Sequence, residues 1–166
     1  MDANWQDHPI EGYAIAAREN GEDGHFRAPL ISHIWGNLWM GGCVNGVRLD
    51  DDFHGVVSLY PWEKYRLGPN TRRKEIKMFD SSDGVDVLDI ELASEAVVHY
   101  MRKGKTLVHC QAGLNRSGLI AAYTLMQMHV PVDEAIALLR AKRSPMVLCN
   151  RTFVEQLREL DKSVNI

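Results

Sequence analysis

Apolar residues in this chain fall into short runs that alternate with longer amphipathic segments from residue 31 onward. The stretch HIWGNLWMGG predicts two short strands that separate at Gly36-Asn37, and the runs GVVSLY and TLVHC each predict a buried strand. KEIKMF predicts one more strand, which ends at the turn-forming residues DSSDG. Each run is short, as expected for the strands of a globular domain.

Longer segments with helical spacing lie between and after these strands. Apolar residues recur three or four positions apart over 90–102, which predicts an amphipathic helix there. The other predicted helices cover residues 116–129, 132–143 and 150–162. The last two begin near Asp133 and Asn150, which are residue types whose side chains cap helix N-termini.

Strands that alternate with helices are typical of an α/β fold with a mainly parallel sheet. We therefore predict a single domain over residues 31–166, with a central, mainly parallel sheet flanked by helices. Residues 1–30 are interpreted as an N-terminal extension of uncertain structure, in which IEGYAIAAREN could form a short helix. The sequence contains no internal repeat, low-complexity tract or long linker.

Composition narrows the classes of protein that this chain can be. The 166 residues are 45% hydrophobic and 25% charged with a net charge of −3, which is ordinary for a soluble domain and argues against a nucleic-acid-binding protein. The N-terminal residues lack the pattern of a secretory signal, and no apolar run approaches the ~18 residues that span a bilayer. We therefore expect a cytoplasmic protein without membrane association.

The cysteines are too few and too scattered for a disulfide framework, which indicates a reducing compartment. They are Cys43, Cys110 and Cys149. No spacing of Cys and His residues indicates a metal site, and no cofactor is expected. Cys43 and Cys149 are interpreted as inert small residues, with a redox role as resolving partner of Cys110 as the alternative.

One loop concentrates residues that carry chemistry. In VHCQAGLNRSG, Cys110 ends a predicted strand and Arg116 begins a predicted helix, at the sheet edge where α/β proteins bind ligands. Gly113 allows the backbone to curl with its N–H groups inward, and such a nest at a helix N-terminus binds anions. Arg116 adds a planar fork for two phosphate oxygens. The same surroundings lower the pKa of a thiol, so Cys110 is predicted to be a nucleophilic thiolate.

A nucleotide-binding loop has similar glycine spacing but different chemistry. Gly113 and Gly118 match the glycines of GxxxxGK[ST], yet Leu119 and Ile120 replace the phosphate-binding lysine and the hydroxyl that binds Mg²⁺. An ATPase or kinase is therefore disfavoured.

The loop HCQAGLNRSG resembles the HCxxGxxRS/T motif of the cysteine-dependent protein tyrosine phosphatase superfamily, with five residues between Cys110 and Arg116. LWMGG, GVVSLY and AIALLRAKRSPMVLCNRTFVEQL resemble the compact dual-specificity branch, and the similarity covers roughly residues 31–160. The resemblance implies a dual-specificity-phosphatase-like catalytic domain, with the phosphatase loop between the last core strand and the following helix.

The resemblance also implies roles for the loop residues. Cys110 would form a phosphocysteine intermediate, Ser117 would stabilise its thiolate, and His109 would support the loop. Apart from the resemblance, Ser117 could be a helix cap, and both roles can hold together. Phosphate would bind to Arg116 and to the backbone of the preceding residues, namely Gln111, Ala112, Gly113, Leu114 and Asn115.

A general acid is implied about thirty residues before the cysteine. Asp80 lies 30 residues before Cys110 and matches this position best, while Asp83 in the same turn is the alternative. In the family, this residue protonates the leaving oxygen and then activates water.

The expected substrate is a protein or peptide that carries phosphotyrosine, with phosphoserine or phosphothreonine also open. A phosphoinositide is disfavoured because the loop contains no lysine. Asn115 creates a GxNR variant that also occurs in RNA 5'-triphosphatases of the superfamily, although such an enzyme would be expected to have a more basic surface. A phosphate-binding module without turnover and a sulfurtransferase are further alternatives. The oligomeric state stays open.

Residues after the strand GVVSLY could also shape the pocket. Tyr60, Trp62 or Tyr65 could form a wall that stacks on a phosphotyrosine ring, although packing in the core is an equal alternative. Basic residues could rim the site or form a solvated face; these are Lys64, Arg66 and residues 72–74.

Overall fold

A computed structural model describes residues 28–164 and contains one five-stranded sheet in the order β1-β2-β5-β3-β4. β1 and β2 pair antiparallel, whereas all other neighbouring strands pair parallel. The strands are β1 (Ile31–Trp35), β2 (Leu38–Gly41), β3 (Phe53–Ser58), β4 (Arg72–Glu75) and β5 (Lys105–His109). The predicted α/β fold with a mainly parallel sheet is confirmed.

Four helices accompany the sheet within the described residues. They are α1 (Val87–Met101), α2 (Arg116–Gln127), α3 (Val132–Lys142) and α4 (Arg151–Val164). α1 packs on β3 and β5, α2 on β5 and β2, and α3 on β1, while α4 packs against α2 and α3. None of these helices is both long and apolar enough to cross a bilayer.

The strand register brings three chain segments to one edge of the sheet. Ser58 of β3 and Gly41 of β2 both lie opposite His109 of β5, and all three residues end their strands. The loop that begins at Cys110 therefore emerges at the carboxyl edge between the continuations of β2 and β3. α2 follows at once, and its first ten residues are all buried.

The strand predicted over 74–79 is partly wrong. β4 covers Arg72–Glu75 instead, because its partner β3 ends at Ser58. Beyond that point the chain still runs alongside the extension of β3, with the Ile76 N–H on Ser58 O at 2.9 Å and the Met78 N–H on Leu59 O at 3.1 Å. The alternation of apolar and polar residues continues beyond Glu75, but β3, the partner strand needed for a regular ladder, ends at Ser58.

The predicted helix caps have different outcomes. Asn150 caps α4, because its Oδ1 accepts the Thr152 N–H at 3.1 Å. Asp133 does not cap α3; Pro131 takes the cap position and Asp133 lies in the first turn, where its charge still favours the helix dipole. The short helix predicted within residues 1–30 lies outside the described residues.

Candidate active site

The loop between β5 and α2 is tightly curled around a glycine. Gly113 has φ +77°, and a side chain there would place Cβ 2.4 Å from Gly41 C and 2.5 Å from Gly42 N. Both of those atoms are backbone, so neither can move aside cheaply. The Cys110 N–H donates to Gly41 O at 3.2 Å, so β2 braces the loop where it begins.

The sulfur of Cys110 is buried among polar groups. The Gly113 N–H donates to Sγ at 3.3 Å, and Ser117 Oγ lies 3.3 Å from the same atom. Ser117 lies in the first turn of α2 and contacts the sulfur, so it does not cap the helix from outside. Two residues that the sequence analysis linked to the cysteine are therefore in contact with it.

The start of α2 is not capped by the side chain of its own cap residue. Asn115 occupies the cap position, but its amide is directed towards Asp80 and makes no capping bond. The first N–H groups of a helix have no partner within the helix. A helix N-terminus of this kind favours a bound oxyanion, because the positive end of the helix dipole lies there.

Arg116 is buried at the first position of α2. Its Nη1 donates to Met78 O at 3.4 Å, and its guanidinium lies 5.0 Å from the centroid of the Tyr60 ring. These contacts hold the planar group between the segment after β3 and the segment after β4. Arg116 thus lies on the same loop as Cys110, as the motif predicted.

Asp80, the predicted general acid, contacts the loop. Its Oδ2 accepts from Nδ2 of Asn115 at 2.9 Å, and its Oδ1 accepts from Nδ2 of Asn150 at 2.7 Å. Asp83 has an exposed side chain, and its backbone N–H donates to Ser81 Oγ within the same turn. The structure therefore brings Asp80 to the loop.

His109 lies directly behind the loop and is fully buried. Its Nδ1 donates to Cys110 O at 3.0 Å, so Nε2 carries no proton and accepts from Ser58 Oγ at 2.7 Å. Burial lowers the pKa of His109 to about 4, and the charges of Arg73 and Arg116 act in the same direction. A neutral imidazole therefore fixes the carbonyl of Cys110 from behind the loop.

Arg143 at the end of α3 braces the loop from outside and was missed in the sequence analysis. Its Nε donates to Gly113 O at 2.7 Å and its Nη2 to Ala112 O at 3.2 Å. Its Nη1 bonds Pro29 O at 2.8 Å and Ser32 Oγ at 3.0 Å. Because these carbonyls turn outward to the guanidinium, the loop N–H groups can turn inward. No local signal marks this arginine, since its partners are remote in sequence.

The aromatic residues near the site divide into a buried group and an exposed one. Tyr65 is buried behind the loop, where its hydroxyl donates to Gly42 O at 2.6 Å. Tyr60, beside Arg116, has its ring centroid 4.9 Å from that of Trp62, which lies 6.0 Å from that of Phe79. Trp62 and Phe79 are 50% and 62% exposed. Phe79, which the sequence analysis did not select, therefore extends the aromatic surface towards the next residue, Asp80.

Several of the basic residues considered as a rim have other partners. Lys64 pairs with Glu75 at 2.9 Å, Arg66 Nε donates to Gly46 O at 2.7 Å, and Arg73 Nη2 donates to Tyr65 O. These contacts account for the three side chains without a bound substrate. None of these three basic side chains is therefore assigned to the phosphate loop.

The two other cysteines have different surroundings. Cys43 is buried, its Sγ donates to Glu63 O at 3.3 Å, and burial strongly raises its pKa, so it stays a neutral thiol. Cys149 is exposed and its Sγ contacts the Asn115 side chain at 3.6 Å. Within residues 28–164, no group of three His, Cys, Asp or Glu residues is arranged to hold a metal ion.

Comparison with known protein families matches residues 54–163 to the family model described as "Dual specificity phosphatase, catalytic domain". The chain belongs to this family. The matched segment contains the curled loop, Arg116, Asp80 and Arg143, so the family model covers the residues of the candidate site. As a dual specificity phosphatase domain, it acts on phosphorylated substrates.

Individual relatives differ in how much of them this phosphatase domain covers. Its sequence is 28% identical over 132 residues to that of the 123R protein of Invertebrate iridescent virus 6. The aligned region covers 78% of this chain and 90% of that protein. Its sequence is 38% identical over 63 residues to that of human dual specificity protein phosphatase 4. That aligned region covers 37% of this chain but only 16% of the human protein. The crystal structure of human DUSP28 has a TM-score of 0.71 with 16% identity, over 83% of this chain and 97% of that one, which shows the shared fold.

Proposed function

We propose that this domain hydrolyses phosphotyrosine, and also phosphoserine or phosphothreonine, in proteins or peptides through a phosphocysteine intermediate on Cys110. The observation that carries the proposal is the environment of Cys110 Sγ. The sulfur lies within 3.3 Å of both the Gly113 N and the Ser117 Oγ, at the N-terminus of a helix that begins with Arg116. Such surroundings favour a thiolate beside a bound oxyanion.

In the first step, the Cys110 thiolate attacks the phosphorus of the bound phosphomonoester. The S–P bond forms while the bond from phosphorus to the leaving oxygen breaks. Asp80, protonated at this stage, gives its proton to the leaving oxygen, so an alcohol or phenol departs. Arg116 and the N–H groups of residues 111–116 stabilise the charge on the transferring phosphoryl oxygens.

In the second step, water attacks the phosphocysteine. The Asp80 carboxylate takes a proton from that water as the new P–O bond forms and the S–P bond breaks. Inorganic phosphate leaves, and the Cys110 thiolate is restored. Ser117 supports the thiolate as leaving group, because its hydroxyl lies 3.3 Å from the sulfur. His109 and Arg143 hold the loop in shape and take no proton in this scheme.

The aromatic surface supports phosphotyrosine as the principal substrate. Tyr60 lies against Arg116, and the exposed Trp62 and Phe79 continue from it towards Asp80. A phenyl ring attached to the bound phosphate would find aromatic faces on this side, and such contacts contribute about 0.5–1.5 kcal/mol beyond area burial. An aliphatic phosphoserine makes no such contact.

The test is hydrolysis of para-nitrophenyl phosphate in excess EDTA by the reduced wild type, Cys110→Ser and Cys43→Ser. We expect activity that is unaffected by EDTA and is lost in Cys110→Ser. Activity should persist in Cys43→Ser, because a hydroxyl at that position can still donate to Glu63 O. Orthovanadate binding should persist in Cys110→Ser. Absence of turnover in the reduced wild type with retained oxyanion binding would instead indicate a phosphate-binding module. Phosphotyrosyl and phosphoseryl peptides of matched sequence then rank the substrates.

A further inference from the structure

The carboxylate of Asp80 is held by two amide side chains, one on each oxygen. Asn115 Nδ2 donates to Oδ2 at 2.9 Å, and Asn150 Nδ2 donates to Oδ1 at 2.7 Å. We propose that Asn150 is a positioning residue for the general acid, and that Asn150 and Asn115 form a two-amide clamp that fixes Asp80 relative to the phosphate loop. This inference rests on the proposed role of Asp80 as general acid.

The hydrogen bonds of each amide determine its orientation. Asn150 Nδ2 faces two acceptors, Asp80 Oδ1 and Ser81 O at 3.0 Å, while its Oδ1 accepts the Thr152 N–H. Asn115 Nδ2 faces Asp80, while its Oδ1 accepts the Asn150 N–H at 2.9 Å. Reversing either amide would set its oxygen against the carboxylate and its NH₂ group against an N–H donor. The clamp therefore has one consistent arrangement.

The clamp links three separate parts of the chain. Asp80 follows β4, Asn115 belongs to the phosphate loop, and Asn150 caps α4. The direct bond from the Asn150 N–H to the Asn115 Oδ1 joins the two amides to each other. The distance from the acid to the phosphate loop is thus set by hydrogen bonds that do not depend on bound substrate.

Helix α4 also holds the rest of the acid loop. Thr152 Oγ1 donates to Ser82 O at 2.9 Å. Gln156 Nε2 donates to Val85 O at 2.7 Å, and its Oε1 accepts the Val85 N–H at 3.0 Å. The loop is therefore tied to α4 at Ser81, Ser82 and Val85. An acid loop held in this way before substrate binds is preorganised, which avoids an ordering cost in each catalytic cycle.

The clamp leaves room for the acid to react. A carboxylate oxygen has two lone-pair sites, and each oxygen of Asp80 uses one for an amide N–H. One oxygen can therefore carry the proton for the leaving group while the other stays bound to its amide. Asn150 has no part in bond making or breaking; it acts through the position of Asp80.

The variant that isolates the clamp is Asn150→Ser. Serine is a good helix cap and keeps an acceptor for the Thr152 N–H, but it removes the amide that reaches Asp80. Thr152→Val is the matched control, since it breaks a bond from the same helix to the same loop without touching the carboxylate. Asn150→Asp is a second clamp variant that retains side-chain length and the cap acceptor while removing the Nδ2 donor. Thermal unfolding of all variants verifies that each is folded.

The experiment measures kcat/KM, which covers the steps up to departure of the leaving group, for an alkyl phosphate and for an aryl phosphate with a good leaving group. General acids contribute about 10²–10⁴-fold, mainly where the leaving group is poor, so we expect Asn150→Ser to lower kcat/KM for the alkyl phosphate about tenfold or more and kcat/KM for the aryl phosphate much less. Thr152→Val should change the two rates equally and little. In an Asp80→Asn background, Asn150→Ser should add no further loss, because the group that it positions is already gone.

Two results separate the failure of this inference from that of the proposed function. If Asp80→Asn itself shows no leaving-group dependence, the acid assignment is wrong and the clamp has no catalytic role. If Asp80→Asn shows a leaving-group dependence but Asn150→Ser and Asn150→Asp do not, only the proposed clamp is overturned and the assignment of Asp80 as general acid stands. Equal effects of Asn150→Ser and Thr152→Val would also overturn it, since they would indicate general loosening of the loop.

Discussion

The phosphate loop and the acid loop contribute to one site but are held in different ways. The phosphate loop lies in the core, where β2, His109 and Arg143 fix its backbone atoms through buried contacts. The acid loop lies at the half-exposed edge and is held mainly by side chains of α4 and its cap residue. Backbone shape is thus fixed by burial in the first loop, whereas side-chain position is set by polar tethers in the second.

This difference predicts different responses to substitution. Buried backbone atoms that lose a partner cannot turn to water, so changes around the phosphate loop should cause large losses for every substrate. Tethers on the half-exposed acid loop can be partly replaced by water, so changes there should be graded and should depend on the leaving group.

The largest effect is expected for Gly113→Ala. The new Cβ would lie 2.4 Å from Gly41 C, which forces the loop and the end of β2 apart. Displaced oxyanion donors cost about 10²–10³-fold in kcat, so we expect a loss of at least about that size with alkyl and aryl phosphates alike. Gly46→Ala is the control, because Gly46 has φ +82° with nothing within 4 Å of its Cβ position. Equal activity losses in the two variants would mean that a side chain at positive φ, rather than the collision with β2, accounts for the loss.

A smaller loss is expected for Arg143→Met, which keeps much of the apolar stem but removes the donors to the Ala112 and Gly113 carbonyls. Each buried acceptor left unpaired costs about 1–3 kcal/mol, so the free energy of unfolding should fall measurably in urea titrations. A loop that shifts by about 1 Å can lose about 100-fold in kcat/KM. Lys142→Met changes the exposed neighbouring cation and should alter neither quantity. A stable and fully active Arg143→Met protein would show that the contacts from β2 and His109 suffice to shape the loop.

His109 predicts a pH dependence of stability. Its pKa is lowered to about 4 in the folded protein, so between that value and about 6.5 the unfolded chain binds a proton that the folded chain does not. The stabilisation is fully present above about pH 6.5 and is lost as the pH falls through this window, by at most about 1.4 kcal/mol per pH unit for one group. Urea unfolding of wild type and His109→Gln from pH 4.5 to 7 should show a shallower dependence in the variant. Parallel curves would assign the acid sensitivity to other groups.

The smallest effect is expected at the exposed aromatic surface. Phe79→Ala removes a ring that is 62% exposed and should leave the hydrogen bonds of Asp80 to Asn115 and Asn150 in place. Loss of one aromatic contact of about 0.5–1.5 kcal/mol should raise KM for a phosphotyrosyl peptide about two- to tenfold, with little change in kcat. A phosphoseryl peptide of the same sequence is the control and should be unaffected. An equal rise in KM for both peptides would place Phe79 against flanking residues of the substrate rather than against the phosphorylated ring.

The features that were predicted correctly from the sequence are those whose contacts are local. The alternation of strands and helices predicted the sheet class, and the strand β4 was misplaced because its end depends on where β3 ends. Asp80 was favoured over Asp83 only through the family resemblance, since both lie in one turn of similar composition. The contact between Asp80 and Asn115 supports the same choice.

The local arrangement of the segment from His109 to Ser117 follows from the sequence without help from the rest of the fold. There a strand end, a glycine and a helix start follow one another, so short-range geometry alone brings Cys110, Gly113 and Ser117 together. The packing of distant elements determines which remote side chains complete the site. Arg143 and Asn150 lie 30 and 35 residues from Gly113 and Asn115, their hydrogen-bond partners in the loop. Such contacts depend on how α3 and α4 pack against α2, which no local pattern of hydrophobic and polar residues specifies.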